Sequence, residues 1–419
     1  MRVASYRMFV VLFCIGFYIS NAQIKVIKAG YLIDTKSEEV LRDKYIIIEG
    51  NTIKDIVDNY VVNLKDEFID LSNSYVLPGL IDCHVHLTMN ASYRNWNMSQ
   101  KYIEESTAFR ALRGAKNAEL FLQNGFTTVK EIGNDGNYAT ADIIKAIEKG
   151  WIKGPNIAYV GKIIGPYGGQ LPNISYEHKG LWEYEYINAD SKNEIIKAIR
   201  QNRYYGANAI KLVSSSENTS YYSIEEIEAA VNEAKKTNMK VSVHTNGGES
   251  SKNAILGGVA SIEHGLELTD ELLKLMKEKG TYLVGTDFSF DNLYAYGLDS
   301  ITAKNYHNMF LNRLIRANQI GVKLAFGTDV IIDLPNRNRV ESSLEILKTW
   351  KEANISPMKT LKAMTYNASD LLGISNERGV IVSKYIADII ALNKNPLENI
   401  ENIKSVHFVM KEGNVIRND

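Results

Sequence analysis

Gly79-Leu80-Ile81-Asp82-Cys83-His84-Val85-His86-Leu87 follows directly on Pro78, and the rest of the chain is read outward from it. The proline marks a break before a new element. An apolar run then leads into two histidines at i and i+2. Side chains two apart in a strand point to one face, so His84 and His86 present two imidazoles side by side at a strand end. Such a pair is half of a site for a divalent metal. Two solvated histidines on an exposed strand would look the same, so the rest of the pattern has to decide.

Downstream, strand and helix alternate. A helix around Ala108–Leu122 carries Ala111, Ala115, Ala118 and Leu122 on one face and is closed by Gly125. Strand Phe126–Ile132, a helix near Ala139–Lys149 ending at Gly150, and strand Asn156–Val160 follow. Glu194–Tyr204 suits a helix and Ala207–Val213 a strand. Ser223 with Glu226 makes a capping box for a helix bearing Ile227, Ala230 and Ala234. Strands are expected at Met239–His244, Gly258–His264, Thr281–Gly285 and Val322–Thr328. With the His84 strand the total is eight in about 250 residues, which predicts an α/β fold, a (β/α)8 barrel. An open doubly wound sheet is the alternative, but no Gly-rich phosphate turn follows an early strand.

Both ends of the chain read differently. Ile46-Ile47-Ile48, the turn Glu49-Gly50-Asn51 and Ile53–Val57 are strand-like, as are Ile386–Leu392, Val406–Met410 and Asn414–Arg417. Neither segment can fill a core alone, so the two are expected to pair into one small β-sandwich. The boundaries are 1–22 for a leader, 23–78 for the first sandwich part, 79–374 for the barrel and 375–419 for the second part.

The leader carries Arg2 and Arg7, an apolar stretch Phe9–Ile19 too short to span a bilayer comfortably, and the small-x-small site Ser20-Asn21-Ala22. It predicts a signal peptide cut before Gln23, an exported (periplasmic or secreted) protein, and no stable membrane anchor afterwards. Cys14 falls in the leader, so Cys83 is the only mature thiol and no intrachain disulfide can form. The full chain has 48 Lys+Arg against 49 Asp+Glu. Losing Arg2 and Arg7 leaves a mature net charge of −3, and no basic surplus recommends a nucleic-acid partner.

In a barrel of this kind, active groups sit at the C-terminal ends of strands. Those ends offer His84, His86, Lys211, His244, His264 and Asp329. His178, His307 and His407 lie in apparent loop, helix and terminal strand. Lys211 stands alone in Ala207-Asn208-Ala209-Ile210-Lys211-Leu212-Val213. A bare ammonium facing a barrel interior is costly to desolvate. Either its pKa falls, or carbon dioxide converts it into a carbamate, or it snorkels to water.

PGLIDCHVHL, AIKLVSS, VHTNGG, SIEHG and FGTD, in that order, resemble the amidohydrolase superfamily. The resemblance extends to Gly30, Ile48-Glu49-Gly50-Asn51, Met364-Thr365-Tyr366-Asn367-Ala368, Leu371-Leu372-Gly373, Ala387-Asp388, Asn395-Pro396 and Val409-Met410-Lys411-Glu412-Gly413. It covers nearly the whole mature chain and is strongest toward the Xaa-Pro dipeptidase and imidazolonepropionase-related branch. It implies two divalent metal ions, zinc being usual. His84, His86 and Asp329 would hold one and His244 and His264 the other, with carbamylated Lys211 and a hydroxide as bridges. That hydroxide would attack a peptide-like amide (a dipeptide, Xaa-Pro or N-acyl amino acid). Asp329 would take its proton and pass it to the leaving amine.

The chain departs from the branch at Gly168-Gly169-Gln170, where relatives often carry Gly-Gly-His. The loop around it is rich in rings, namely Tyr167, Tyr176, Trp182, Tyr184 and Tyr186, which are expected to line or cover the pocket or to stabilise a surface loop. Tyr167, Gln170 and Tyr222 are the expected substrate contacts, Tyr222 because it resembles a position that meets a substrate carboxylate in relatives. Arg337 and Arg339 offer charge to an anion, although a solvated loop is the commoner use. Thr245-Asn246-Gly247-Gly248 after His244 lacks the Glu of a deaminase. A lactonase or ester hydrolase would use the same metals, and a non-catalytic binding protein would normally have lost ligands. Small-molecule substrates are expected, and a homo-oligomer is compatible with the sequence.

Overall fold

A computed structural model describes residues 23–94, 103–168, 170, 175–214 and 221–419, without the Trp182 side chain. The expected leader, with Cys14, lies outside the described residues. The N-terminal segment forms β1 (Ile24–Asp34), β2 (Glu39–Glu49), β3 (Thr52–Val57) and β4 (Glu67–Pro78). The middle of the chain supplies β5 (Leu80–Val85), β6 (Phe126–Glu131), β7 (Asn156–Tyr159), β8 (Ile163–Gly165), β9 (Tyr186–Asn188), β10 (Ile210–Val213), β11 (Val241–Thr245), β12 (Ser261–His264) and β13 (Tyr282–Val284). The C-terminal segment adds β14 (Ile389–Leu392), β15 (Val406–Lys411) and β16 (Asn414–Asn418).

The two ends do meet, but in one seven-stranded sheet, ordered β16-β15-β14-β4-β1-β2-β3, rather than as two sheets joined face to face. The join is the antiparallel pairing of β4 with β14, Leu77 opposite Ile390. Strand alternation then divides β14 between two cores. Ile389 and Ala391 pack with Ile27, Ile46 and Phe408, whereas Ile390 and Leu392 belong to the large central core. Gly30 sits where β1 bulges against β4, and a Cβ there would lie 1.9 Å from the Ser72 carbonyl oxygen. Only glycine tolerates that approach.

The middle strands are parallel and form two arcs, β5-β6-β7 and β13-β12-β11-β10-β8-β9. Backbone bonds stitch one arc to the other. Asn208 and Ala209 donate to Tyr159 O at 2.8 and 3.0 Å, Leu283 donates to Lys323 O at 2.9 Å, and Cys83 donates to Phe326 O at 2.8 Å. The expected strand over Val322–Thr328 survives only as a bridge at Leu324. Its end departs from regular geometry at Gly327, where a Cβ would meet the Val284 side chain at 2.4 Å and His84 Cβ at 2.8 Å. Helices alternate with these strands as the pattern requires. They include Thr107–Gln123, Ala139–Glu148, Lys192–Tyr204 and Ile224–Lys235, the last with the Ser223/Glu226 capping box in place.

Candidate metal centre

The site grows from β5. Asp82, His84 and His86 alternate with Ile81, Cys83 and Val85, so the polar three share a face. Asp82 accepts from His84 N at 3.0 Å, from Thr328 N at 3.1 Å and from Thr328 Oγ1 at 2.7 Å. It therefore ties the histidine strand to the segment ending at Asp329. Asp329 N in turn donates to His84 O at 2.8 Å. Asp329 has φ +54° and His264 φ +68°. Left-handed backbone at two non-glycine residues is strain of the kind found at functional sites. Here it aims side chains that a regular strand would send elsewhere.

His84, His86 and Asp329 each offer a ligand atom, and these atoms lie within 4.8 Å of one another. Asp329 Oδ1 is 3.2 Å from His86 Nε2 and 3.5 Å from His84 Nε2, and its Oδ2 is 3.7 Å from His264 Nδ1. The other nitrogens are tied down. His84 Nδ1 lies 2.7 Å from Glu263 Oε2, His86 Nδ1 2.7 Å from Gly133 O, and His264 Nδ1 2.8 Å from Thr286 Oγ1. An imidazole whose Nδ1–H is donated to a fixed acceptor leaves its Nε2 lone pair for a metal.

Burial holds His84 down to about 4 and His244 to about 3, with the Lys211 charge adding to the effect at both. Burial also holds His264 well below the usual histidine range, and His244 and His84 push it further the same way. Burial alone would raise Asp329, but His84, His86 and Lys211 outweigh it and keep the carboxyl below its ordinary value. At neutral pH His84, His244 and His264 are thus neutral imidazoles beside an ionised Asp329 carboxylate, and imidazole with carboxylate is the donor set a Zn²⁺-like ion takes.

Lys211 is 3% exposed and faces the same cavity. Burial lowers its ammonium to about 8, the nearby Lys130 charge acting in the same sense and Glu263 against it. His244 stacks edge-on against His264, ring centres 4.5 Å apart, and Gln170 Nε2 lies 3.2 Å from its Nδ1. All six residues read from the strand ends therefore converge.

The cavity above them has a volume of about 360 Å³. Met89, Ile163, Phe288, Leu293, Leu298 and Ile331 make it apolar on its sides, and Asn134, Gln170 and Tyr296 supply polar atoms. Tyr296 OH donates to Asp329 O at 3.2 Å and accepts from Ile331 N at 3.0 Å.

The expected substrate contacts separate. Gln170 lines the cavity. Tyr167 is 60% exposed, its backbone N bonded to Asp190 Oδ1 at 2.9 Å. Tyr222 is buried and gives its hydroxyl to Ala189 O at 2.8 Å. Of the ring-rich loop, Tyr176 is exposed, whereas Tyr186 is buried and receives Asn134 Nδ2 at 3.2 Å. Arg339 is no solvated cation. It is 3% exposed and bonded to Asp333, Met89 O and Asn90. Arg337 pairs with Glu345 at 2.6 Å.

Reading strand ends alone missed Glu263, Lys130 and Asp82. A signal was present: each is a charged residue inside a strand, as Lys211 is.

Comparison with known proteins agrees with the geometry. The sequence profile of the amidohydrolase family matches residues 75–416. Ochratoxinase of Aspergillus niger is 28% identical over 440 aligned residues, covering 95% of this chain and 87% of that protein. Its crystal structure superposes with a TM-score of 0.79 at 26% identity, over 95% of this chain and 96% of that one. A Xaa-Pro dipeptidase crystallised with methionine bound in the active site gives a TM-score of 0.82 at 30% identity, over 94% of this chain and 100% of that one. Imidazolonepropionase of Thermoanaerobacter pseudethanolicus is 22% identical over 91% of either chain.

Proposed function

The chain belongs to the amidohydrolase family, and from that premise we propose that it is an exported binuclear metallohydrolase cleaving a peptide-like amide in a small substrate. That it is a hydrolase of carbon–nitrogen bonds follows from the family and its relatives. We read β5, β6, β7, β10, β11, β12, β13 and the Val322–Thr328 segment as one closed eight-stranded barrel, with the site at the C-terminal strand ends and the short strands β8 and β9 added beside β10. Residues 1–22 would direct export, with cleavage before Gln23. No helix among the described residues is long and apolar enough to cross a membrane.

The observation that carries the proposal is the convergence of His84, His86 and Asp329 on the floor of an apolar cavity. These three would hold one divalent ion. His244 and His264 would hold a second, with Lys211, as its carbamate, between them. Two such ions supply a Lewis acid for the amide oxygen and a water acidic enough to lose a proton near neutral pH. Lys211 is prepared for the modification, because only a neutral amine adds carbon dioxide. With its ammonium at about 8, about a tenth is neutral at pH 7, against less than roughly one in a thousand for an ordinary lysine.

Asp329, held ionised, takes the proton of the attacking water and returns it to the leaving nitrogen. The C–N bond breaks, water is consumed, and a carboxylate and an amine leave. The volume of about 360 Å³ suits a ligand of dipeptide size. Phe288, Leu293 and Leu298 would take an apolar side chain or acyl group. The Xaa-Pro dipeptidase with bound methionine supports a substrate of this size and character.

The test is elemental analysis of protein expressed with zinc and bicarbonate, followed by a screen of dipeptides, Xaa-Pro dipeptides and N-acyl amino acids. About two metal ions per chain and turnover of at least one amide class are expected. Well-folded protein with a metal content near zero overturns the proposal.

A further inference from the structure

Beneath the floor of the cavity lies a charged pair that no substrate can touch. Lys130 on β6 is 2% exposed and Glu263 on β12 is fully buried. Lys130 Nζ donates to Glu263 Oε1 at 3.1 Å and to Ser242 Oγ at 2.8 Å. Ser261 Oγ donates to the same Glu263 oxygen at 2.6 Å. The other oxygen, Oε2, is left for His84 Nδ1 at 2.7 Å. A buried ion pair is weak evidence of a stabilising role, since well-packed apolar residues of similar size often do as well or better. The question is then what this pair does that apolar residues would not.

The answer lies in the direction it forces on His84. With Oε1 taken by a lysine and a hydroxyl, Glu263 has one oxygen free to receive the imidazole, and it can only accept. His84 must carry its proton on Nδ1 and turn Nε2 toward Asp329, 3.5 Å away. Its neighbours are braced by neutral groups: His86 by a backbone carbonyl and His264 by a threonine hydroxyl. Of these three, His84 alone has its Nδ1 hydrogen-bonded to a carboxylate.

We propose that Glu263 is a positioning residue for His84, and Lys130 a positioning residue for Glu263, the two together setting how tightly the His84–His86–Asp329 corner binds a divalent cation. The inference rests on the metal-binding reading of that corner.

Co²⁺ and Zn²⁺ affinities by chelator competition, with the visible spectrum of the Co²⁺ form, test it on the full-length protein. Absence of cation binding by the unaltered protein would overturn the reading on which this inference rests. Given binding, Lys130→Met should weaken it by about 10–100-fold and change the Co²⁺ spectrum. Lys130→Arg should recover most of the affinity. Lys130→Met leaves Glu263 charged and unbalanced and could fail to fold. The double variant Lys130→Met/Glu263→Leu removes both charges and leaves Ser242 and Ser261 to bond each other, 2.8 Å apart. It should unfold near the wild-type midpoint yet bind cation about 10–100-fold more weakly. Wild-type affinity in the double variant would show the pair to be structural only. Nitrogen-15 spectra of metal-free wild-type protein give an independent reading: His84 should carry its proton on Nδ1, and a proton on Nε2 overturns the proposal.

Discussion

His84, His86 and Asp329 meet in a corner where the surrounding chain dictates each orientation, whereas Lys211, which faces the same cavity, and His244, stacked on His264, have far less to hold them among the described residues. In the first corner Glu263, Gly133 O, Tyr296 and the Asp82–Thr328 bonds fix ring, tautomer and backbone. In the second, the buried carboxylate that would steady a lysine is taken by Lys130 instead. His244 has an exposed glutamine amide beside Nδ1. The first corner is preorganised by the polypeptide alone. The second is less braced among the described residues, and a carbamate on Lys211 would add an anion there. If this contrast is right, changes in the second corner divide sharply between those that remove the anion and those that merely trim its surroundings.

The largest effect should come from Lys211→Ala. Removing a ligand shared by two ions should lower turnover by about 10³-fold or more. Metal content should fall with it, measured on the same samples. Lys211→Glu restores a carboxylate on a shorter arm, so partial metal binding with poor turnover is expected. Short-chain acids added to Lys211→Ala should return some rate. Two metals and near-native turnover in Lys211→Ala would remove the bridge and erase the contrast between the corners.

A second, smaller effect concerns pH. The Lys211 ammonium loses its proton at about 8, and only the neutral amine takes up carbon dioxide. Incorporation of ¹³C-bicarbonate into metal-free protein should therefore rise between pH 7 and 9 and level off above. Carbon-13 spectra report the carbamate directly. A flat profile, or the same signal in Lys211→Ala, would mean that the lysine is not the site.

How much of this was legible depended on the kind of signal. Alternation placed seven of the parallel strands and the six converging residues, because period-2 and period-3.6 patterns are local, but it did not find the three-residue strands β8 and β9, which are too short to show a period. The eighth segment, Val322–Thr328, looked as regular as the others and is not. Gly327 must admit His84 closely, and Asp329 must turn to φ +54°, so the ladder breaks where the site begins. The end segments were seen to belong together, yet their single sheet depends on β4 pairing with β14 across more than 300 residues, and nothing local encodes that. Lys130 and Glu263 are visible as charges inside strands, but their partnership is tertiary. Tyr222 was misleading for the same reason. Its position resembles a substrate contact, while its hydroxyl is spent on a carbonyl.

Trimming the second corner should do little. Gln170→Ala deletes the one side chain that, among the described residues, bonds His244 Nδ1, and that side chain is exposed. A hydrogen bond of this sort contributes about 0.5–1.5 kcal/mol, so kcat/KM should fall by less than about tenfold. A loss near that of Lys211→Ala would mean that Gln170 holds substrate or metal and that the second corner is better braced than it looks.

The smallest effect should be that of Tyr222→Phe, and it separates architecture from recognition. Tyr222 packs in the main core, accepts from Asn253 Nδ2 on its carbonyl at 3.1 Å, and donates its backbone N–H to Ser214 Oγ at 3.1 Å. Phenylalanine keeps the ring and all of these backbone contacts. Only the bond to Ala189 O is lost, at 2.8 Å and out of water. The cost is one neutral hydrogen bond, about 1 kcal/mol of folding stability, readable as a small drop in the denaturant midpoint at unchanged slope. Activity should be unaltered, because the hydroxyl is committed to the chain and not to the cavity. A phenol that met a substrate carboxylate would behave in the opposite way, with stability held and kcat/KM reduced by about tenfold or more, since bonds to charged groups are worth about 1.5–3 kcal/mol. Denaturation and kinetics on the one variant therefore decide whether Tyr222 belongs to the scaffold behind the second corner or to the site itself.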